Sequence, residues 1–128
     1  MSFQKESKNV VLLEDQPRYI RMLSNIVLSL GYTPIHSENR QDFLELVSKT
    51  NYFAFILDNL VPYDKEHKNP KPNIGLSLSR YFLKTEPGLK VALHTSDEKN
   101  ADIERHITRG LVYIKKPASI EEITKFLS

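Results

Sequence analysis

The sequence predicts an α/β domain, a doubly wound parallel sheet of five strands with five helices, and three observations carry that expectation. Short apolar runs alternate with stretches of helical apolar spacing along the whole chain. The connections are short and hold helix start and stop signals such as Pro17, Gly31, Gly110 and the Ser119-Glu122 pair. Four runs end in polar groups: Val10 to Leu13 leads into Glu14-Asp15, Tyr52 to Leu57 into Asp58, Val91 to His94 into Thr95-Ser96, and Leu111 to Ile114 into Lys115-Lys116-Pro117. In an open parallel sheet, polar groups at the carboxyl ends of strands converge on one crevice, which is where such folds bind ligands.

Val10 to Leu13 is the first strand, wholly apolar as a strand covered on both faces requires. Pro17 suits the first turn of the next helix, Ile20, Leu23, Val27 and Leu30 share one face, and Gly31 stops it. A weak second strand at Thr33 to His36 precedes a helix over Arg40 to Thr50 that repeats Phe43, Leu46 and Val47 on one side. The third strand ends at Asp58, and a polar stretch separates it from a third helix marked by Ile74, Leu78, Tyr81 and Phe82, which stops near Pro87-Gly88. Lys90 to Thr95 is the fourth strand. The fourth helix, about Asn100 to Arg109, is short and polar, with Ile103 and Ile107 one turn apart and Gly110 as its end signal. After the fifth strand, Ser119 with Glu122 forms a capping box, and Ile120, Ile123 and Leu127 give the last helix its apolar face.

A chain of 128 residues with 40% hydrophobic content has material for one core and one domain. Zero cysteines exclude a disulfide framework and thiolate metal sites, in keeping with a cytoplasmic location. The first nine residues are polar and carry both charge signs, so they lack the apolar centre of a signal peptide, and no later stretch approaches membrane-span length. Eighteen basic and sixteen acidic residues, for a net charge of +2, are too balanced for an electrostatic nucleic-acid binder.

The set of strand-end residues resembles the receiver domain of bacterial-type two-component response regulators, over the span from about Asn9 to Leu127. The resemblance rests on the acidic pair Glu14-Asp15, on Asp58 with Pro62 four residues later, on Thr95, and on Lys116-Pro117. It implies a flavodoxin-like strand order 2-1-3-4-5 and a single receiver domain over 1–128, with a polar N-terminal tail at 1–8 and an inserted loop at 63–74. The implied function is a phosphorylatable signalling switch that catalyses its own phosphorylation and dephosphorylation, with Mg²⁺ as cofactor. On this resemblance Asp58 accepts the phosphoryl group, and Thr95 and Lys116 contact its oxygens. Asp15, Asp58 and the backbone carbonyl of Leu60 hold the metal, with Glu14 acting through water. Tyr113 stands where the family has its switch aromatic, and Lys116-Pro117 is a candidate cis peptide. The implied partners are a histidine kinase or phosphotransfer protein, or a small phosphodonor, and a downstream protein reached through the face of helix four, strand five and helix five. Neither a membrane nor direct nucleic-acid contact is expected of this chain.

The chemistry accounts for the residue types. A carboxylate attacks phosphorus to give an aspartyl phosphate, but clustered carboxylates repel an incoming anion and one another, so a cation is required. Mg²⁺ prefers oxygen ligands and is commonly held by one or two carboxylates with phosphate oxygens.

Taken singly, each residue has a plainer reading. Asp58 alone reads as a loop cap, Thr95 or Ser96 as a helix N-cap, Tyr113 as a half-buried strand aromatic and Lys115 as a solvated neighbour. His94 reads as packed in the fourth strand, and His36, His67 and His106 lack metal-ligand spacing. Three departures from the resembled pattern stand out. Twelve residues, Tyr63 to Ile74, separate Pro62 from Gly75 where relatives have a few; they read as a mobile surface loop or as a partner contact. Leu60 is apolar where some relatives are polar, and Ala118 replaces an aromatic. Among rival classes, a haloacid-dehalogenase-type phosphatase needs a second Asp at position 60, and a nucleotide hydrolase needs a glycine-rich phosphate cradle that four glycines do not supply. A receiver-like adaptor working by phosphorylation-independent binding is the closer rival, and such a protein is expected to lose acidic or lysine positions that this chain keeps.

Overall fold

The computed structural model describes residues 2–128; Met1, at the start of the expected N-terminal tail, lies outside them. Five strands and five helices alternate: β1 Asn9–Leu13, α1 Pro17–Ser29, β2 Thr33–Ser37, α2 Arg40–Lys49, β3 Ala54–Leu57, α3 Ile74–Thr85, β4 Lys90–Thr95, α4 Ala101–Ile107, β5 Val112–Lys115 and α5 Ile120–Leu127. All pairings are parallel, and the sheet order is β2-β1-β3-β4-β5. The doubly wound, flavodoxin-like order expected from the resemblance is therefore the observed one.

Side chains on successive strand residues point to opposite faces, and this divides the core in two. Val11, Leu13, Phe55, Leu57, Val91 and Leu93 pack with Phe43 and Val47 of α2, Leu78 and Phe82 of α3 and Ile103 of α4. Val10, Leu12, Ala54, Ile56, Ala92 and Ile114 pack on the other face with Leu23, Ile26 and Val27 of α1 and Ile123, Phe126 and Leu127 of α5. Phe55 is fully buried and meets Phe43 edge-on at 5.0 Å and Phe82 at 5.1 Å. Such pairs add about 1 kcal/mol each beyond the burial itself.

Local signals set the helix ends. Asn39 caps α2 by accepting from the Asp42 amide, Asn100 caps α4 through Ile103, and Ser119 with Glu122 forms the expected capping box of α5. Two residues assigned to apolar faces are instead exposed. Tyr81 (59% exposed) is one position off the buried stripe Ile74, Leu78 and Phe82, and Ile120 (62%) lies in the first turn of α5, ahead of the stripe Ile123, Phe126 and Leu127 that meets α1 and β4.

The segment before β1 is tied down. Phe3 bridges Tyr52 in parallel, the Gln4 amide donates to the Tyr52 carbonyl at 2.8 Å, and the Phe3 side chain packs on the core. No helix among the described residues is long and apolar enough to cross a membrane.

Candidate functional site

The sheet pairing delivers three carboxylates to one place. The Glu14 amide donates to Ser37 O at the end of β2 and the Asp58 amide to Leu13 O at the end of β1, which holds both turns at the carboxyl edge. One carboxylate oxygen each of Glu14, Asp15 and Asp58 lie within 4.8 Å of one another. Glu14 and Asp58 are buried, and Asp15 is half-buried at the opening.

Lys116, at the end of β5, reaches into this cluster. Its Nζ donates to Asp58 Oδ2 at 3.0 Å and lies 2.9 Å from Glu14 Oε1, with its side chain only 4% exposed. The Tyr19 ring covers it, 4.4 Å from Nζ to the ring centroid, so the ammonium meets carboxylates on one side and a π face on the other. Glu14 Oε2 accepts from the amides of Asp15 and Gln16, both at 3.2 Å, and Asp58 Oδ1 accepts from the Leu60 amide at 3.2 Å. The Lys116-Pro117 peptide is cis, as the sequence suggested.

One lysine does not neutralise three acids. Burial, and then the Asp58 charge, push the Glu14 carboxyl up to about 7 despite its contact with Lys116. Asp15 is raised for the same two reasons. Burial acts to lower the Lys116 ammonium, but the hydrogen bond to Glu14 and the charge of Asp58 outweigh it and hold the group above the ordinary lysine range. The donor set is all oxygen, partly buried and short of positive charge, which fits a hard divalent cation such as Mg²⁺.

Thr95 is buried at the end of β4, its Oγ1 accepts from the Asp97 amide at 3.1 Å, and its carbonyl accepts from the Lys116 amide at 2.9 Å. Tyr113 is not in the cluster; its hydroxyl donates to Asp97 O at 2.6 Å beside Lys99. The Leu60 side chain is 48% exposed. Lys115 turns away and pairs with Glu98 at 2.5 Å, as a solvated neighbour does.

Three contributors, Asn59, Asp97 and Tyr19, were not found in the sequence, and two residues named there, His94 and Gly75, make contacts it did not give. Asn59, 2% exposed, accepts from the Leu76 amide at 2.9 Å and donates to Asp97 Oδ2 at 3.1 Å, which locks the start of α3 to the β4–α4 loop. Asp97 thus joins Asn59, Thr95 and Tyr113. Tyr19 covers Lys116, and the only prior signal was an aromatic in the first turn of α1. His94 is packed in β4 as expected, yet its Nδ1 is 3.9 Å from Glu14 Oε1 while Nε2 accepts from the Ala118 amide at 3.2 Å. Burial and then Lys116 hold its imidazole down at about 4, so the ring is neutral. Gly75 is required by close approach: a Cβ there would stand 2.4 Å from the Asp58 carbonyl oxygen.

The insertion is anchored at both ends. Val61 bridges Lys71 in antiparallel fashion, with the Lys71 amide donating to Val61 O at 2.9 Å. The Arg40 and Gln41 amides at the start of α2 donate to Pro62 O and Tyr63 O. Asn73 closes the loop in a left-handed conformation at φ 62°. A cavity of about 680 Å³ lies here, between the loop and α2, and is lined by Arg40, Leu44, Tyr63, His67 and Lys68. A smaller cleft of about 460 Å³ joins Lys65 and Lys68 of the loop to Asp15 at the mouth of the acidic cluster.

No family model matches the chain, and no curated protein matches it. Solved structures do. A response regulator protein from Burkholderia pseudomallei, solved with a phosphorylated aspartic acid, a calcium ion and citrate, superposes with a TM-score of 0.75 at 21% identity, over 95% of this chain and 67% of that one. The receiver domain of a sensor histidine kinase from Pseudomonas aeruginosa, with a magnesium ion coordinated in its active-site cleft, gives 0.71 at 21% identity over 94% of each chain. A chemotaxis protein of the CheY type from Vibrio cholerae gives 0.73 at 15% identity over 94% of this chain and 96% of that one. Strand order, coverage and these three likenesses agree: the chain has the fold of the response-regulator receiver domains.

Proposed function

We propose that the protein is a phosphorylatable signalling switch in which Asp58 is the phosphoacceptor. The observation that carries this reading is the Lys116 ammonium set between Asp58 and Glu14 at the edge of a three-carboxylate cluster. An Asp58 oxygen attacks the phosphorus of a donor, the P–O or P–N bond to the donor breaks, and an acyl phosphate remains on Asp58. Lys116 lies within hydrogen-bond reach of the attacking carboxylate and is placed to pair with the incoming phosphoryl oxygens. Asp15, Asp58 and the Leu60 carbonyl would hold Mg²⁺, with Glu14 through water, and the metal would supply the charge neutralisation that one lysine leaves incomplete. The structures from Burkholderia pseudomallei and Pseudomonas aeruginosa, with phosphorylated aspartate in the one and bound magnesium in the other, support the reading.

Thr95 has a hydroxyl turned toward the Asp97 amide, and Asp97 O holds Tyr113. Recruitment of the Thr95 hydroxyl by a phosphoryl oxygen would withdraw that acceptor from Asp97 and free Tyr113 to turn inward. The signal would then reach the α4-β5-α5 face, where a protein target binds. The donor is a histidine kinase, a phosphotransfer protein or a small phosphodonor. Incubation with a small acyl phosphate and Mg²⁺, followed by intact-mass measurement, should add one phosphoryl mass to the wild type and none to Asp58→Asn. Equal labelling of the two proteins would overturn the assignment.

A further inference from the structure

A second concentration of charge lies away from the carboxylates. Arg80 and Lys84 are one turn apart on α3, and Arg105 and Arg109 have the same spacing on and just beyond α4. Packing of the two helices brings the pairs together around adjoining clefts of about 400 and 470 Å³. Arg80, Asp102, Arg105 and Arg109 line the first, and Lys84 joins Arg80 and Arg109 in the second. Four cations face one carboxylate, and Asp102 is already paired with Arg105. The groove holds more positive charge than the whole chain, whose net charge is +2.

His106 lines both clefts and is 8% exposed. Its Nδ1 lies 2.6 Å from Asp102 O, and since a carbonyl only accepts, Nδ1 carries the proton. Nε2 is buried with no hydrogen-bond partner among the described residues. A buried polar atom without a partner is costly, and its lone pair faces cations that have donors to spare.

We propose that this α3–α4 groove binds a small phosphate-bearing ligand, with Arg80, Arg105 and Arg109 as its charge partners and His106 as a further donor. A phosphoryl dianion suits the groove better than a single carboxylate, because it offsets more of the four positive charges and presents oxygens to the arginine forks. Binding takes up a proton. In the free protein, burial and then Arg109, Arg80 and Arg105 hold the His106 ring below the ordinary histidine range, so Nε2 is a bare acceptor. An anion cancels that repulsion and favours the ring with Nε2–H, which then donates to it. The groups that face His106 are Arg80 and Lys84 from α3 and Asp102, Arg105 and Arg109 from the α4 segment.

The test is an NMR titration of the metal-free protein with inorganic phosphate, against sodium chloride at matched ionic strength. Phosphate should give saturable shifts confined to residues 77–84 and 102–109, and chloride should not. Sulfate, a dianion over the whole range, should raise the titration midpoint of the His106 ring, where chloride at the same ionic strength leaves it in place. Arg80→Gln with Arg109→Gln, both exposed positions, should weaken phosphate at least tenfold while keeping a native spectrum. With sulfate as the probe, the wild type should bind more tightly at pH 6 than at pH 8, and His106→Asn should keep the binding at pH 8 and lose that strengthening. Equal response to chloride, or undiminished affinity in the double variant, would overturn the site. Repeating the titration in Asp58→Asn keeps this outcome separate from that of the aspartyl phosphate.

Discussion

At the carboxyl edge of the sheet three carboxylates meet one lysine, whereas across the α3–α4 groove four cations meet one carboxylate. Each region has a buried neutral histidine, and the two rings are in opposite tautomers. His94 accepts at Nε2 from Ala118, so its Nδ1–H faces Glu14, while His106 donates from Nδ1 to Asp102 O, so its Nε2 lone pair faces arginines. In both, a backbone group fixes one nitrogen and so decides the polarity of the other. The regions differ in burial. The acidic cluster is largely buried, and burial with the Asp58 charge raises the proton affinity of Glu14 and Asp15, whereas the cations of the groove stand in water on helix surfaces and are screened.

That difference ranks the expected effects of substitution. Lys116→Met leaves Asp58 and Glu14 buried beside an apolar side chain, and should cost about 4 kcal/mol in urea unfolding at pH 8. The loss should shrink at pH 5, where Glu14 can carry a proton. If the variant is as stable as the wild type at pH 8, the cluster is more hydrated than its burial indicates.

The next effect is the pH dependence of the cluster itself. Glu14 keeps its proton up to about 7 in the folded chain, but its ordinary value is 4.5, so the unfolded chain gives up the proton first. The stabilisation is complete below 4.5 and is lost as pH rises through 7, by roughly 3 kcal/mol in all. His94, held near 4, drifts the opposite way below 6.5, so the useful quantity is wild type minus Glu14→Gln across pH 4 to 8. Added Mg²⁺ should offset the loss, since it favours the ionised cluster. A flat difference would show that Glu14 ionises freely.

Smaller effects belong to the periphery. Shortening 63–70 to a tight turn should move stability by only about 1 kcal/mol, because loop-closure entropy varies slowly with length, while changing the rate of labelling at Asp58. Thermal melts with labelling time courses measure both, and collapse of the fold would make the loop structural. In the groove, Arg109→Gln should stay within about 0.5 kcal/mol of wild type or gain slightly from reduced repulsion. A loss rivalling that of Lys116→Met would erase the contrast between the two regions.

The contrast also marks what was legible in the sequence. Strands β1, β3 and β4 are buried on both faces and appear as unbroken apolar runs, and β2 read as weak because, at the sheet edge, its burial is partial. Asp58 was legible because it directly follows such a run, the pair Glu14-Asp15 because it follows another, and Lys116 because it stands just before Pro117 after the fifth strand. Asn59, Asp97 and Tyr19 were not, since their roles arise from hydrogen bonds and packing between distant elements. The basic groove left one faint trace, the four-residue spacings Arg80-Lys84 and Arg105-Arg109. Only the docking of α3 on α4 turns those two ordinary solvated faces into one.

The two anchors of the insertion separate length from position. The Val61–Lys71 bridge closes the loop upon itself, and Asn59 with Gly75 seats α3 directly on the Asp58 backbone. Changes within 63–70 are therefore absorbed before they reach Asp58. This makes the segment a site where evolution can rewrite what approaches the pocket, or an engineer can graft a recognition peptide, while the chemistry beneath keeps its alignment.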